Sequence, residues 1–175
     1  MNPVPIPEAV AAARDDRAVR DDQVARDDRA ARGGYVLAEA RDADAGAVAP
    51  DVVLVADGGE APAALAARRI LQREGIATRV VCMPCAAWFR RQSRAYRDEV
   101  LPPGTPATVS VGAAAEVGRY QLLKPAGEGV GLDRAATGTV PHTGIFEHGG
   151  LTPERVAAAA RASLARARGR GWRRR

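Results

Sequence analysis

Cysteine and histidine are the side chains of this sequence best suited to redox, nucleophilic or metal chemistry, and the chain holds two of each. Cys82 and Cys85 have the Cys-x-x-Cys spacing of thiol–disulfide exchange sites. Such a site needs its first thiol at a helix N-terminus, where the helix dipole lowers the thiol pKa. Because Cys82 lies in an apolar run typical of a strand, and only Cys85 is near a predicted helix start, we interpret both as core thiols, with redox chemistry as the alternative.

The two histidines, His142 and His148, could complete a Cys2His2 zinc site with these thiols, but the spacing matches no zinc finger. We therefore predict neither a metal site nor a catalytic residue in this chain. His142 falls in a predicted loop. We interpret it as a surface histidine, with a polar contact across a subunit interface as the alternative.

A pair of glycines, Gly58 and Gly59, separates an apolar run from a helical pattern. Backbone N–H groups at such a turn can bind a phosphate, but glycines also allow a strand to turn tightly into a helix. We favour the turn. Together with Glu60, Arg119 and His142, these glycines are our candidates for an anion-binding loop or an interface.

Strands and helices alternate along the middle of the chain. Apolar, β-branched runs predict strands at Val52–Ala56, Thr78–Met83 and Ala107–Val111, with a possible short fourth at Gly129–Leu132. Helical spacing predicts one helix from Pro62 to the stop at Gly75, a second with Phe89, Ser93, Tyr96 and Val100 on one face, and a third from an N-cap at Thr152 to about Arg168. This order predicts an α/β fold, a three-layer α/β/α sandwich whose first two strands are parallel.

Charge and composition set the two ends of the chain apart from residues 34–168, the predicted folded domain. Residues 1–33 include three copies of an Arg-Asp-Asp unit, starting at Arg14, Arg20 and Arg26. Their opposite charges predict a solvated segment that is disordered or marginally helical, with a partner-binding helix as the alternative.

The net charge of +5 is concentrated at the C-terminal end, because seven arginines from Arg161 to Arg175 contribute +7 and leave −2 elsewhere. The basic tail, residues 169–175, could contact nucleic acid through its arginines and Trp172. Without a nucleic-acid-binding motif we expect a solvated end instead. No apolar stretch reaches the ~20 residues of a membrane helix and no signal segment is evident, so we expect a cytoplasmic protein without a membrane partner.

Three blocks of sequence resemble the C-terminal domain of the transketolase family. The blocks are RGGYVL at Arg32–Leu37 with DVVLVA at Asp51–Ala56, VVCMPC at Val80–Cys85 with Phe89, Gln92, Tyr96-Arg97 and Val100–Pro102 behind it, and IFEHG at Ile145–Gly149 with Leu151-Thr152 and the last helix. The resemblance covers about residues 32 to 168 in order. It implies a mostly parallel, mixed sheet of about five strands. The turn Asp57–Glu60 departs from the family's usual Thr-Gly-Ser-Glu, which puts any anion contact there in doubt.

The resemblance implies an activity that this chain lacks by itself. Transketolases transfer a two-carbon ketol unit between sugar phosphates with thiamine diphosphate and a divalent metal, and in the family those groups bind to the two preceding domains. We therefore expect no cofactor-binding residue here and no activity of the chain alone. Thiamine diphosphate and the metal are implied only for a partner chain.

Three functions are compatible with these expectations. The first is a non-catalytic structural or dimerisation subunit of a split transketolase, whose partner chain carries the thiamine-binding domains; a homodimer is also possible. The second is a stand-alone interaction or regulatory module. The third is a degenerate remnant without activity.

Overall fold

The computed structural model describes residues 29–42, 46–112, 128–130 and 151–171. Several predictions concern segments outside these ranges: the repeats before residue 29, Arg119, the loop with His142 and His148, and the last four residues with Trp172. For those segments the sequence-based expectations remain predictions.

The described residues form seven strands and four helices. The strands are β1 (Tyr35–Ala38), β2 (Arg41–Asp42), β3 (Gly46–Ala47), β4 (Val52–Ala56), β5 (Thr78–Cys82), β6 (Ala107–Val111) and β7 (Glu128–Val130). The helices are α1 (Ala61–Arg73), α2 (Ala86–Arg90), α3 (Arg94–Val100) and α4 (Pro153–Gly169).

Five of these strands make one sheet, in the order β1-β5-β4-β6-β7. β4 pairs in parallel with both β5 and β6, and β7 pairs in parallel with β6. β1 runs antiparallel to β5, with a bulge between Val36 and Ala38. β2 and β3 form a separate small hairpin. The predicted mixed, mostly parallel sheet is confirmed.

The central strand β4 is buried along its whole length because helices cover both faces of the sheet. Alternate side chains point to opposite faces of a strand. Val52 and Leu54 accordingly join the core under one helical layer, whereas Val53 and Val55 join the core under the other. The three layers predicted from the sequence are confirmed.

The larger layer consists of α1 and α4. Pro62 stands in the first turn of α1, and Gly75 follows its end with φ +74°, as the sequence signals indicate. Alanines bring both helices close to the sheet: Ala64, Ala67 and Leu71 of α1 are buried, as are seven residues of α4. Ala63, Ala66 and Ile70, which have helical spacing with Ala67 and Leu71, are half-buried.

The smaller layer consists of two short helices, α2 and α3, so the prediction of one helix through Phe89 and Val100 is wrong. The chain leaves the helical path after Arg90 and begins α3 at Arg94. Ser93, predicted on the helix face, is instead the N-cap of α3, and its hydroxyl accepts the Tyr96 N–H at 3.2 Å. Phe89 is buried under the sheet, and its ring lies 6.2 Å from that of Tyr96.

Candidate functional site

The turn after β4 brings Gly58, Gly59 and Glu60 together, as the sequence suggests. Both glycines are exposed and neither has a positive φ, while Glu60 is buried at the start of α1. The Gly59 N–H donates to the Asp57 carboxylate at 3.2 Å. A carboxylate thus occupies the amide that an anion would need, so the geometry gives no support to phosphate binding here.

The two cysteines also lie in one region of the fold. Cys82 is buried in β5, and Cys85 is the half-buried N-cap of α2; no disulfide joins the two thiols. The first thiol of the pair is therefore in a strand, away from a helix dipole, which is the arrangement expected of core thiols.

No group of three or more His, Cys, Asp or Glu side chains in the described ranges could hold a metal ion. The glycine turn, the one loop with exposed amides that the sequence singled out, carries Asp57. Arg119 and His142 lie outside the described ranges, and the expectation that the cofactor binds to a partner chain remains a prediction.

A different glycine pair lies in a crowded place, and the backbone contacts require glycine at position 33. Gly33 has φ +81°, and a Cβ atom there would lie 2.4 Å from the Cys85 carbonyl oxygen and 2.5 Å from the Phe89 nitrogen. A Cβ on Gly34 would lie 2.5 Å from the Met83 sulfur. Only glycine allows the backbone to approach the start of α2 this closely.

Hydrogen bonds fix the same segment to both short helices. The Cys85 N–H donates to the Gly33 carbonyl at 3.1 Å, and the Tyr96 hydroxyl donates to the Gly34 carbonyl at 2.8 Å. The backbone of Gly33 and Gly34 is therefore bonded directly to the start of α2 and to α3.

Cationic and aromatic side chains surround this point. The Arg32 guanidinium lies 4.9 Å from the Tyr96 ring centroid, and that of Arg29 lies 5.6 Å from the Tyr35 centroid. Trp88 of α2 is 53% exposed, and a Cβ on Gly33 would touch its Cβ. We call the surface formed by Arg29, Arg32, Tyr35, Trp88 and Tyr96 the junction face.

A pocket of about 440 Å³ opens beside the junction face. Its walls are the edge strand β1 and helix α3, and its charged lining residues are Arg29, Arg32, Glu39 and Glu99. The rings of Tyr35 and Tyr96 line the same recess as these charges, and tyrosine and arginine are enriched at protein interfaces.

The side chain of Arg79 bonds to residues that line this pocket. Its side chain is 12% exposed, and it pairs with the Glu39 carboxylate at 2.8 Å. The same guanidinium donates to the Glu99 carbonyl at 2.5 Å and the Val100 carbonyl at 3.2 Å, which are at the C-terminal end of α3. One charged side chain therefore connects β5, α3 and the end of β1.

On the other side of β1, Arg68 of α1 holds the same segment. Its Nε donates to the Glu39 carbonyl at 3.1 Å and to the Thr78 carbonyl at 3.0 Å. Burial lowers the pKa of Arg68, and the positive charges of Arg41 and Arg69 lower it further. The guanidinium remains charged, because an arginine pKa lies far above neutral pH.

Sequence reasoning did not single out the junction face. Its residues lie in two blocks about 55 positions apart, and only the fold brings them together. The adjacent glycines at 33 and 34 were the one available signal, because an adjacent pair before a strand often marks a close approach of the backbone.

Known proteins similar to this chain are transketolases. The sequence pattern of the family described as "Transketolase-like TK C-terminal domain" matches residues 33–149. The transketolase of Mycobacterium tuberculosis is 42% identical over 132 residues, which are 75% of this chain and 19% of the relative. The chain thus spans about a fifth of the length of the relatives that it matches.

Two solved structures are similar in fold. The transketolase of Pichia stipitis in complex with xylulose 5-phosphate has a TM-score of 0.67 at 30% identity, covering 81% of this chain and 19% of its own. A protein described as a split-gene transketolase, an inactive beta4 tetramer, has a TM-score of 0.52 at 26% identity, covering 77% of this chain and 42% of its own.

No helix in the described ranges is long and apolar enough to cross a membrane.

The match to the family begins at Gly33, where the glycine pair meets α2, and it runs through the parallel strands β4, β5 and β6. The order of elements, the sheet and the sequence all agree with that match: this chain belongs to the family of transketolase-like C-terminal domains.

Proposed function

We propose that this chain is the C-terminal-domain subunit of a split transketolase, and that a separate chain supplies the thiamine-binding domains. The observation that carries the proposal is the similarity in fold to a protein described as a split-gene transketolase, together with the match of residues 33–149 to the transketolase-like C-terminal domain. On this proposal the chain contributes packing surface, and the partner contributes the cofactor and the catalytic groups.

The split-gene relative supports an arrangement in two chains. Its description names a split gene, and its beta4 assembly is described as inactive. By analogy, the present chain completes an enzyme only when the other part of the enzyme is present. The stand-alone module and the inactive remnant remain the competing functions.

Reconstitution with a relative tests the proposal. The Mycobacterium tuberculosis transketolase, shortened by the segment that matches this chain, is co-expressed with the full chain, and ketol transfer is measured after co-purification. A second preparation carries the chain fused at the place of the removed segment. We expect transfer in both preparations and little in the shortened enzyme alone.

The two preparations separate the possible failures. Transfer by the fusion but not by the co-expressed chains contradicts the split arrangement. No transfer by a folded fusion contradicts a role in ketol transfer altogether and favours the module or the remnant.

A further inference from the structure

We propose that the junction face is the docking surface for the chain that carries the thiamine-binding domains. This inference rests on the proposed function and adds the place of contact and the chemistry of the partner surface. The partner presents carboxylates opposite Arg29 and Arg32 and an apolar recess for the Trp88 indole.

The position of the face is the first argument. The family match begins at Gly33, and a C-terminal domain has the remainder of a transketolase before it in sequence. Gly33 and Gly34 are fixed against α2 and α3 by close backbone approach and two hydrogen bonds. In a joined enzyme, the preceding domain must therefore connect at the surface where Arg32 and Trp88 lie.

The exposed indole is the second argument. Trp88 is the one large hydrophobic side chain in the described ranges that is exposed. Tryptophan and arginine are the residues that most often contribute strongly to binding between proteins. Here the exposed Trp88 packs against Gly33, and the guanidinium of the preceding residue, Arg32, lies over the Tyr96 ring.

The uneven cover of the sheet is the third argument. The helices α1 and α4 contain 13 and 17 residues, whereas α2 and α3 contain five and seven. Helices this short have little stability of their own and depend on tertiary contacts. A partner seated on α2 and α3 would supply such contacts, whereas α1 and α4 pack on the larger of the two described core clusters.

Hydrogen exchange on the fusion described above locates the contact. We expect the amides of residues 84–97 to exchange at least about tenfold more slowly in the fusion than in the isolated full chain. Amides 158–168 of α4 should exchange at the same rate in both. Unchanged exchange at 84–97, or protection on α4 instead, overturns the docking surface.

Two substitutions and a matched control test the chemistry with separate chains. Trp88→Ser and Arg32→Glu should each lower ketol transfer by at least about tenfold at limiting concentration of this chain. Arg168→Glu makes the same charge reversal on an exposed site of α4, and transfer should remain at the level of the unsubstituted chain. Equal effects of Arg32→Glu and Arg168→Glu would overturn the proposal.

Other occupants of the face give different results. Protection of 84–97 in the isolated chain that grows with its concentration identifies a second copy as the occupant. Protection that disappears when residues 1–28 are removed identifies the chain's own N-terminal segment. Either result overturns the assignment to a partner. A fusion that is active but shows no protection at 84–97 rejects the docking surface and leaves the proposed function standing. A folded fusion that shows protection at 84–97 but is inactive rejects the proposed function and leaves the docking surface standing.

Discussion

Alanine substitutions at two glycines with positive φ distinguish the loss of stability caused by backbone strain from the loss caused by steric crowding. Gly33 and Gly75 have φ values of +81° and +74°, but a Cβ at Gly75 would meet open space. Gly75→Ala should lower the free energy of unfolding by about 1 kcal/mol, because only the left-handed conformation is penalised. Gly33→Ala should cost about 1–3 kcal/mol more, because the backbone of α2 must move as well. Urea denaturation measures both, and equal losses would show that the close approach at Gly33 is not rigid.

Arg79 is expected to stabilise the smaller helical layer through its bonds to carbonyl groups. Arg79→Met should lower the free energy of unfolding by about 2–3 kcal/mol, because the end of α3 loses charged donors in a largely buried place. Glu39→Gln removes only the half-exposed ion pair and should cost under about 1 kcal/mol. Thermal or urea unfolding of the two variants decides the matter. A loss in Glu39→Gln as large as in Arg79→Met would assign the stability to the ion pair.

At the scale of elements, the ion pair between Glu74 and Arg161 joins the end of α1 to α4. Two guanidinium nitrogens of Arg161 donate to the Glu74 carboxylate, at 2.8 and 2.6 Å. The hydrogen bond from Arg161 holds the pKa of Glu74 below its ordinary value of 4.5. A carboxyl whose pKa is lowered on folding stabilises the protein above its unfolded pKa, and that stabilisation is lost as the pH falls through the folded pKa.

We therefore expect Glu74→Gln to be less stable than the unsubstituted chain at neutral pH and equally stable well below pH 4.5. Urea unfolding from pH 7 to pH 3 measures the difference, and high salt should shrink it because the pair is exposed. Arg161→Gln should show the same convergence. A gap between the unsubstituted chain and Glu74→Gln that stays constant down to pH 3 contradicts the role of the ion pair.

The elements that were predicted well are those with a local signal. A short run rich in β-branched residues was enough for β4 and β6, and Thr152 with Pro153 marked the start of α4. The break between α2 and α3 was missed, because the apolar spacing continues across it. Ser93 was placed on the helix face, although its hydroxyl caps the next helix. Apolar periodicity records what is buried, and only the capping chemistry records where a helix restarts.

The candidate site was predicted less well for a physical reason. Gly58, Gly59 and Glu60 are neighbours in sequence, so any fold would bring them together. The contact of Arg32 with Tyr96, and of Gly33 with Trp88, depends on the antiparallel pairing of β1 with β5. A pattern in a single sequence does not contain that pairing, and so the junction face became visible only with the sheet.

At the scale of the whole molecule, the two sides of the sheet differ in the number of residues that they bury. Among the described residues, seventeen buried ones form the core on the side of α1 and α4, and seven form the core on the side of α2 and α3. Hydrophobic stabilisation grows with the apolar area removed from water. The side with less buried area of its own is thus the side where a partner can add most.

The proposed function also predicts the properties of the isolated chain. We expect the purified full chain to show no ketol transfer and no binding of thiamine diphosphate with Mg²⁺ in calorimetric titrations up to about 1 mM ligand. The reason is that the proposed function assigns the cofactor to the partner chain, and that the Asp57 carboxylate, which accepts the Gly59 N–H in the glycine turn, would repel a diphosphate there. The intact Mycobacterium tuberculosis transketolase serves as the control under the same conditions. Saturable heat from the isolated chain, lost in the absence of Mg²⁺, would falsify the assignment of the cofactor to a partner and would place the missing ligands among the residues outside the described ranges.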